Sequence, residues 1–139
     1  MIQRVQSIWL LLASVCAFLS IEFPFFYINS AVQGIATEEF TAKNRLLLIV
    51  LTSVLGALLL LLIFLYKGRK LQLRLTFVAL AISIINIYLY FQYAYLNEAI
   101  KPGIALSSVF TFLIPVFCMM AIAGIRRDVR LIRSLDRIR

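Results

Sequence analysis

Four long apolar stretches alternate with short polar connections along the chain. They cover approximately residues 5–28, 46–66, 75–96 and 104–125. A helix needs ~20 mostly apolar residues to cross a bilayer, because each residue rises ~1.5 Å and the hydrocarbon is ~30 Å thick. The leucine-rich run at residues 58–65 lacks the alternation that a membrane barrel strand requires. The pattern therefore predicts four transmembrane helices.

The short connections predict how these helices are arranged. Residues 67–70 form a tight polar turn, so the second and third helices should be antiparallel neighbours. Residues 102–103, a proline and a glycine, similarly begin the fourth helix after a short connection. The predicted fold class is an all-α membrane protein, an antiparallel up-down bundle of four transmembrane helices.

Local signals predict where the first two helices end and begin. Pro24 should kink the last turn of the first helix, because proline removes one backbone donor. Thr37 is typical of an N-cap, with Glu38 and Glu39 in the first turn that follows it. The second helix is therefore expected to start outside the membrane and to enter it near Arg45.

Basic residues concentrate on one side of the four stretches. Most of the Lys and Arg residues lie at the N-terminus, in residues 67–74 and in residues 126–139, while the other connections hold few. Cytoplasmic loops of membrane proteins carry this excess of positive charge. We expect a multi-pass protein of the bacterial inner membrane with both termini in the cytoplasm. Residues 1–125 would form the transmembrane domain and residues 126–139 a basic cytoplasmic tail.

The basic tail predicts a short amphipathic C-terminal helix. At helical spacing one stripe carries Arg126, Arg130, Arg133 and Arg137, and the opposite side is aliphatic. Such a helix can lie on the cytoplasmic leaflet against anionic lipids, or it can bind a protein partner. The net charge of +8 does not indicate nucleic acid, since the basic residues lie where membrane topology already places them.

Polar residues within the stretches predict a candidate pocket that opens outward. Asn86 on the third helix should face the bundle, because an unpaired amide in lipid costs several kcal/mol. Glu22 lies inside the predicted first span, where a carboxylate needs a partner or a proton. The candidate pocket consists of Glu22, Asn86, Tyr90, Tyr93, Ser107 and Thr111. The alternative is that these residues form ordinary hydrogen bonds between helices.

The two ends of the chain carry the most distinctive sequences. They are Met1-Ile2-Gln3-Arg4-Val5-Gln6-Ser7-Ile8-Trp9-Leu10-Leu11-Leu12-Ala13 and Val129-Arg130-Leu131-Ile132-Arg133-Ser134-Leu135-Asp136-Arg137-Ile138-Arg139. Within a match over the full length, these ends resemble a family of small, uncharacterised four-helix membrane proteins of Bacteroidota. The resemblance implies a membrane location and four helices. It implies no substrate or catalytic residue, because that family has no established activity.

The chain contains no histidine, and no motif in it indicates a metal site, a cofactor or catalysis. Phosphate-binding glycine loops and nucleophiles paired with a base are missing from the sequence. We therefore predict a non-enzymatic inner-membrane protein that acts as a subunit or accessory factor of a larger membrane assembly, with a protein partner. The alternative is a small transporter or a lipid- or small-molecule-binding protein that uses the polar pocket.

Overall fold

Four long helices and three short strands make up the described part of the chain. The computed structural model describes residues 2–29, 37–65, 68–96 and 102–136. The elements in chain order are α1 (Ile2–Glu22), β1 (Phe26–Asn29), β2 (Thr37–Phe40), a 3-10 turn (Ala42–Asn44), α2 (Leu46–Phe64), α3 (Arg69–Leu96), β3 (Pro102–Ile104) and α4 (Ser108–Asp136).

Each of the four helices is long and apolar enough to cross a membrane. The candidate spans are Val5–Glu22, Leu46–Phe64, Arg69–Tyr93 and Ser108–Leu131. This confirms the prediction of four helical spans from the apolar stretches. A backbone in hydrocarbon must satisfy its own hydrogen bonds, and an α-helix does so within one segment.

The four helices surround a common apolar core, and each helix packs against two others. Helix α1 contacts both α2 and α4, and α3 also contacts both of them. Small and branched residues fill the interior, among them Leu10, Ala13, Leu55, Leu59, Ala79, Ile114 and Ala121. Large apolar side chains on the outer faces of all four helices remain exposed, as expected of faces that contact acyl chains.

Helices α1 and α2 approach each other closely at Gly56. The hydroxyl of Ser14 donates a hydrogen bond to the Gly56 carbonyl over 3.3 Å. A Cβ at this glycine would lie 3.1 Å from the Phe18 ring, closer than ordinary van der Waals contact. Small residues allow such close contacts between helices in lipid. Gly56 follows Thr52 by four residues, so these two small residues lie on the same face of α2.

Helix α1 ends earlier than the sequence analysis expected. We predicted a first span to residue 28 with a kink at Pro24, and both predictions are wrong. The helix ends at Glu22, and the chain is extended from Phe26. Proline has no N–H to continue the helical ladder and disfavours helical geometry at the residue before it. It therefore ends the helix here.

A three-stranded antiparallel sheet links the segment between α1 and α2 to the segment between α3 and α4. Strand β1 lies in the centre and pairs with β2 and β3. Phe26 is opposite both Phe40 and Ile104. The connection between α1 and α2 and the connection between α3 and α4 therefore meet at one end of the bundle. No strand had been predicted. Thr37 begins β2 rather than capping a helix, so that prediction is wrong, and α2 begins at Leu46.

The turn between α2 and α3 is closed by a buried glutamine. The Gln72 side chain donates its Nε2–H to the carbonyl of Leu62 over 2.9 Å. This carbonyl is among the last four of α2, which have no partner within the helix. The backbone N–H of Gln72 bonds the Gly68 carbonyl at 2.8 Å. Gln72 thus pairs a backbone carbonyl at the end of α2 with its side chain and forms a helical backbone hydrogen bond at the start of α3.

Helix α4 continues through the boundary predicted at residue 125. It runs unbroken from Ser108 to Asp136, so the basic segment extends the fourth helix through Asp136. Pro115 lies inside this helix. The guanidinium of Arg69 on α3 forms an ion pair over 3.9 Å with the buried carboxylate of Asp128 on α4. This ion pair holds the extension of α4 beside the start of α3.

We expect Gly56→Val to lower the free energy of unfolding by ~1–3 kcal/mol, because the added carbons press on the Phe18 ring. Unfolding in mixed micelles, followed by circular dichroism, measures this change. Ala57→Val, on the exposed side of the same helix, is the matched control and should cost little. Adding Phe18→Ala to Gly56→Val should recover part of the loss. Equal losses from the two valine variants would contradict the close approach.

Candidate functional site

The predicted polar face of α3 is buried and pairs with α2. The Asn86 side chain is fully buried and donates its Nδ2–H to the Thr52 hydroxyl oxygen over 3.0 Å. Thr52 in turn donates to the carbonyl of Leu48 over 2.7 Å. The Oδ1 atom of Asn86 is buried and finds no hydrogen-bond partner within the described part of the chain. Asn86 therefore faces the bundle, as predicted, and contributes to helix packing there.

One turn further along α3, Tyr90 is also fully buried. Its ring stacks on the Phe25 ring with centroids 4.4 Å apart and planes 14° apart. Phe26 and Phe91 pack around Phe25 with edge-on geometry. Aromatic pairs of this kind contribute ~0.5–1.5 kcal/mol beyond the burial of their area. The space next to Asn86 is thus occupied by an aromatic cluster.

Ser107 and Thr111 connect this region to the start of α4. Ser107 donates its hydroxyl hydrogen to the carbonyl of Pro24. The neighbouring backbone N–H of Ala105 bonds the Phe25 carbonyl at 3.0 Å. Thr111 is buried. Ser107 thus satisfies a backbone carbonyl in the segment between α1 and β1, where no helical partner exists.

Glu22 lies exposed at this end of the bundle, and Tyr93 is half-buried against the aromatic cluster. Glu22 accepts a hydrogen bond from Lys43 over 2.6 Å, and the two side chains are 65% and 51% exposed. The Arg45 guanidinium lies 5.3 Å from the centre of the Tyr93 ring. Because α1 ends at Glu22, this carboxylate pairs at the surface and does not join the buried Asn86. An exposed ion pair of this kind stabilises a protein by at most ~1 kcal/mol.

The structure therefore divides the candidate pocket into separate parts. Asn86 and Tyr90 are buried together, Ser107 bonds a backbone carbonyl, and Glu22 lies exposed in an ion pair. The residues singled out from the sequence do not include Phe25, which the structure buries against Tyr90. The proline at position 24 was the signal that could have revealed the turn that carries Phe25 inward.

The basic end of α4 exposes its arginines. Arg126 and Arg130 are exposed, and the Arg126 guanidinium lies 5.0 Å from the centre of the Phe77 ring on α3. The side chain of Arg133 and the whole of Arg137 lie outside the described residues. Asp128 on the same helix is buried. The described part of this end therefore presents positive charge outward and turns its carboxylate inward.

Among the described residues, no group of three or more His, Cys, Asp or Glu side chains is placed to hold a metal ion. Apart from Asp128, the buried polar side chains among the described residues are neutral hydroxyls and amides, and most of them bond backbone carbonyls. Such groups stabilise helix contacts. The charged groups that can meet another molecule lie at the two ends of the bundle.

A comparison with family models matches residues 2–138 to the family described as "Domain of unknown function (DUF4293)". No curated protein and no solved structure matches the chain. The match covers nearly the whole chain and confirms the resemblance to a family of unknown function that its two ends indicated. It supplies no substrate, ligand or partner.

A double-mutant cycle tests the bond between Asn86 and Thr52. We expect Thr52→Val and Asn86→Leu to show a coupling of ~0.6 kcal/mol, and at most ~2 kcal/mol, because either change alone removes their shared bond. Unfolding in mixed micelles measures the coupling.

Thr76→Val combined with Asn86→Leu is the control for this cycle. Thr76 also donates to the carbonyl four residues before it, at 2.7 Å, whereas the Asn86 side chain bonds Thr52. Its effect should add to that of Asn86→Leu. Additivity in the Thr52 cycle as well would show that the bond contributes nothing to stability.

Proposed function

This chain belongs to the DUF4293 family, and we propose that it is a non-enzymatic accessory subunit of a larger assembly in the bacterial inner membrane. Four helices long and apolar enough to span a bilayer support the membrane location. The observation that carries the proposal is the exposed basic end of α4, where Arg126 and Arg130 point outward while Asp128 is buried.

The proposed partner presents an acidic surface beside the membrane. The exposed arginines lie near the end of the α4 span, within reach of a protein at the bilayer surface. Arginine suits such contacts, because its planar guanidinium binds a carboxylate through two parallel hydrogen bonds. Anionic headgroups of the same leaflet are further contacts for this end.

We also propose an antiparallel up-down bundle with both termini in the cytoplasm. The sheet brings the connection that follows α1 and the connection that precedes α4 to one end of the bundle. The turn between α2 and α3, with Arg69 and Lys70, then lies at the other end together with the arginines of α4. The positive-inside rule assigns this basic end to the cytoplasm.

The geometry favours this proposal over a transporter that uses the predicted pocket. Glu22, the carboxylate proposed to carry such a function, pairs with Lys43 at the surface. Asn86 bonds Thr52, and an aromatic cluster surrounds Tyr90. We propose no catalytic role, because the sequence has no histidine and pairs no nucleophile with a base.

Cysteine labelling in intact cells tests the topology. We expect Asn44→Cys to react with an impermeant maleimide added outside, and Lys70→Cys to react only after permeabilisation, because the two residues lie at opposite ends of the bundle. The native Cys16 and Cys118 are buried and should contribute little background. The reverse labelling pattern would contradict the assigned orientation.

Purification from native membranes in mild detergent tests the accessory role. A stoichiometric protein partner should copurify, and Arg126→Gln combined with Arg130→Gln should weaken the complex up to about thirtyfold, since exposed ion pairs contribute up to ~1 kcal/mol each. Arg74→Gln, an exposed arginine on α3, is the matched control and should retain the partner. A lone monomer or homodimer from wild-type membranes would overturn the proposal.

A further inference from the structure

A groove lies between the first turns of α1 and the C-terminal half of α4. Its volume is about 300 Å³, and the residues that line it are Val5, Gln6, Trp9, Met120, Ala123, Gly124 and Arg127. Val5 and Met120 are about half exposed, so the groove is reachable from the outer face of the bundle. We refer to it as the α1–α4 groove. None of its residues belongs to the polar pocket predicted from the sequence.

A buried amide without a partner distinguishes this groove. Gln6 is 6% exposed, and its Nε2 atom has no hydrogen-bond partner among the residues that the structure describes. Leaving a buried donor unpaired costs ~1–3 kcal/mol. Gly124 leaves room for this side chain, since a Cβ there would lie 2.8 Å from the Gln6 Cγ. The groove therefore contains a donor that a bound acceptor would satisfy.

The groove also has one positive charge and an otherwise apolar wall. Arg127 is exposed and is the charged residue among the side chains that line it. Trp9 stacks on Phe117 of α4 with ring centroids 5.8 Å apart and forms part of the apolar side. A ligand that fits needs an acceptor near Gln6, negative charge near Arg127 and an apolar portion beside Trp9.

The depth of these residues identifies the source of such a ligand. Gln6 lies close to the start of the α1 span, and Arg127 lies close to the end of the α4 span. Both are therefore at the level of the headgroups and ester carbonyls of one leaflet. Phospholipids present a phosphate, ester carbonyls and acyl chains in this order toward the bilayer centre, which matches the order of groups along the groove.

We propose that the α1–α4 groove binds one anionic phospholipid. Its phosphate pairs with the Arg127 guanidinium, an ester carbonyl accepts the Gln6 Nε2–H, and an acyl chain lies against Trp9. This site is independent of the protein partner proposed above, because it uses a groove within the chain and leaves Arg126 and Arg130 free for that partner.

Fluorescence of the full-length protein in lipid nanodiscs tests the site. Trp9 is the single tryptophan of the chain and lines the groove, so lipids with brominated acyl chains quench it when they occupy the site. A small, fixed fraction of brominated phosphatidylglycerol in phosphatidylcholine should quench wild-type protein more than the same fraction of brominated phosphatidylcholine. The ratio of the two quenching constants is the lipid preference. Equal quenching would overturn the proposal.

Arg127→Gln should reduce the preference for the anionic lipid about fivefold, the effect of one basic side chain near a membrane surface. Arg74→Gln removes the same charge outside the groove and should leave the preference nearly unchanged. Equal losses in the two variants would mean diffuse attraction to the bilayer and would overturn the site. Both arginines are exposed, so neither variant should alter folding.

Gln6→Met removes the amide without a change of charge. Both test lipids carry the ester carbonyl that Gln6 binds, so we expect weaker quenching by each of them. We also expect a higher thermal stability in detergent, because an unpaired buried donor is lost. Lower stability with unchanged quenching by both lipids would overturn the role of Gln6 in binding. Inorganic phosphate added to wild-type nanodiscs should leave the quenching of Trp9 unchanged. Recovery of Trp9 fluorescence would identify free phosphate as the ligand and overturn the lipid site. The lipid site can fail these tests while a protein partner still copurifies with the chain. The results therefore distinguish the lipid-site proposal from the proposed accessory role.

Discussion

The pairing of backbone carbonyls and amides in apolar surroundings is the constraint on which this structure depends. Within the spans the helical ladder supplies the pairing, and at the helix ends other groups must supply it. Gln72 bonds a carbonyl at the end of α2, and Ser107 bonds the Pro24 carbonyl beyond the end of α1. The three-stranded sheet pairs the backbone of the adjoining connections. At these described helix ends, a specific polar group thus takes the place of the missing helical partner.

The same constraint accounts for most of the polar side chains inside the bundle. The hydroxyls of Ser14, Ser20, Thr52, Thr76 and Ser83 all donate to backbone carbonyls. A hydroxyl in an apolar interior needs an acceptor, and a nearby carbonyl provides one without a change in the fold. Polar residues in these spans therefore give little information about ligands until their hydrogen bonds are known. This explains why the candidate pocket, read from polar positions alone, separates into unrelated contacts.

Groups that the fold leaves without a partner carry more functional information than polar residues in general. The Nε2 atom of Gln6 is one of them, and it lines a groove whose rim carries Arg127. Arg126 and Arg130 on α4 are a second feature, because they remain exposed to other molecules while Asp128 pairs inward with Arg69. Both features lie at the basic end of the bundle. The contacts of this protein with other molecules are accordingly proposed for that end, and its opposite end is held together by internal bonds.

The sequence by itself determined the number of spans, their approximate positions and the burial of Asn86, because these depend on the local length and hydropathy of each stretch. Even Pro24 carried the signal for the end of α1, although a kink was expected there. Only the tertiary structure decided the sheet, the surface pairing of Glu22 with Lys43, and the groove at Gln6. These features join residues far apart in the chain, as in the pairing of Phe26 with Ile104. Such contacts depend on how complete helices pack, and periodicity within one stretch carries no information about that packing.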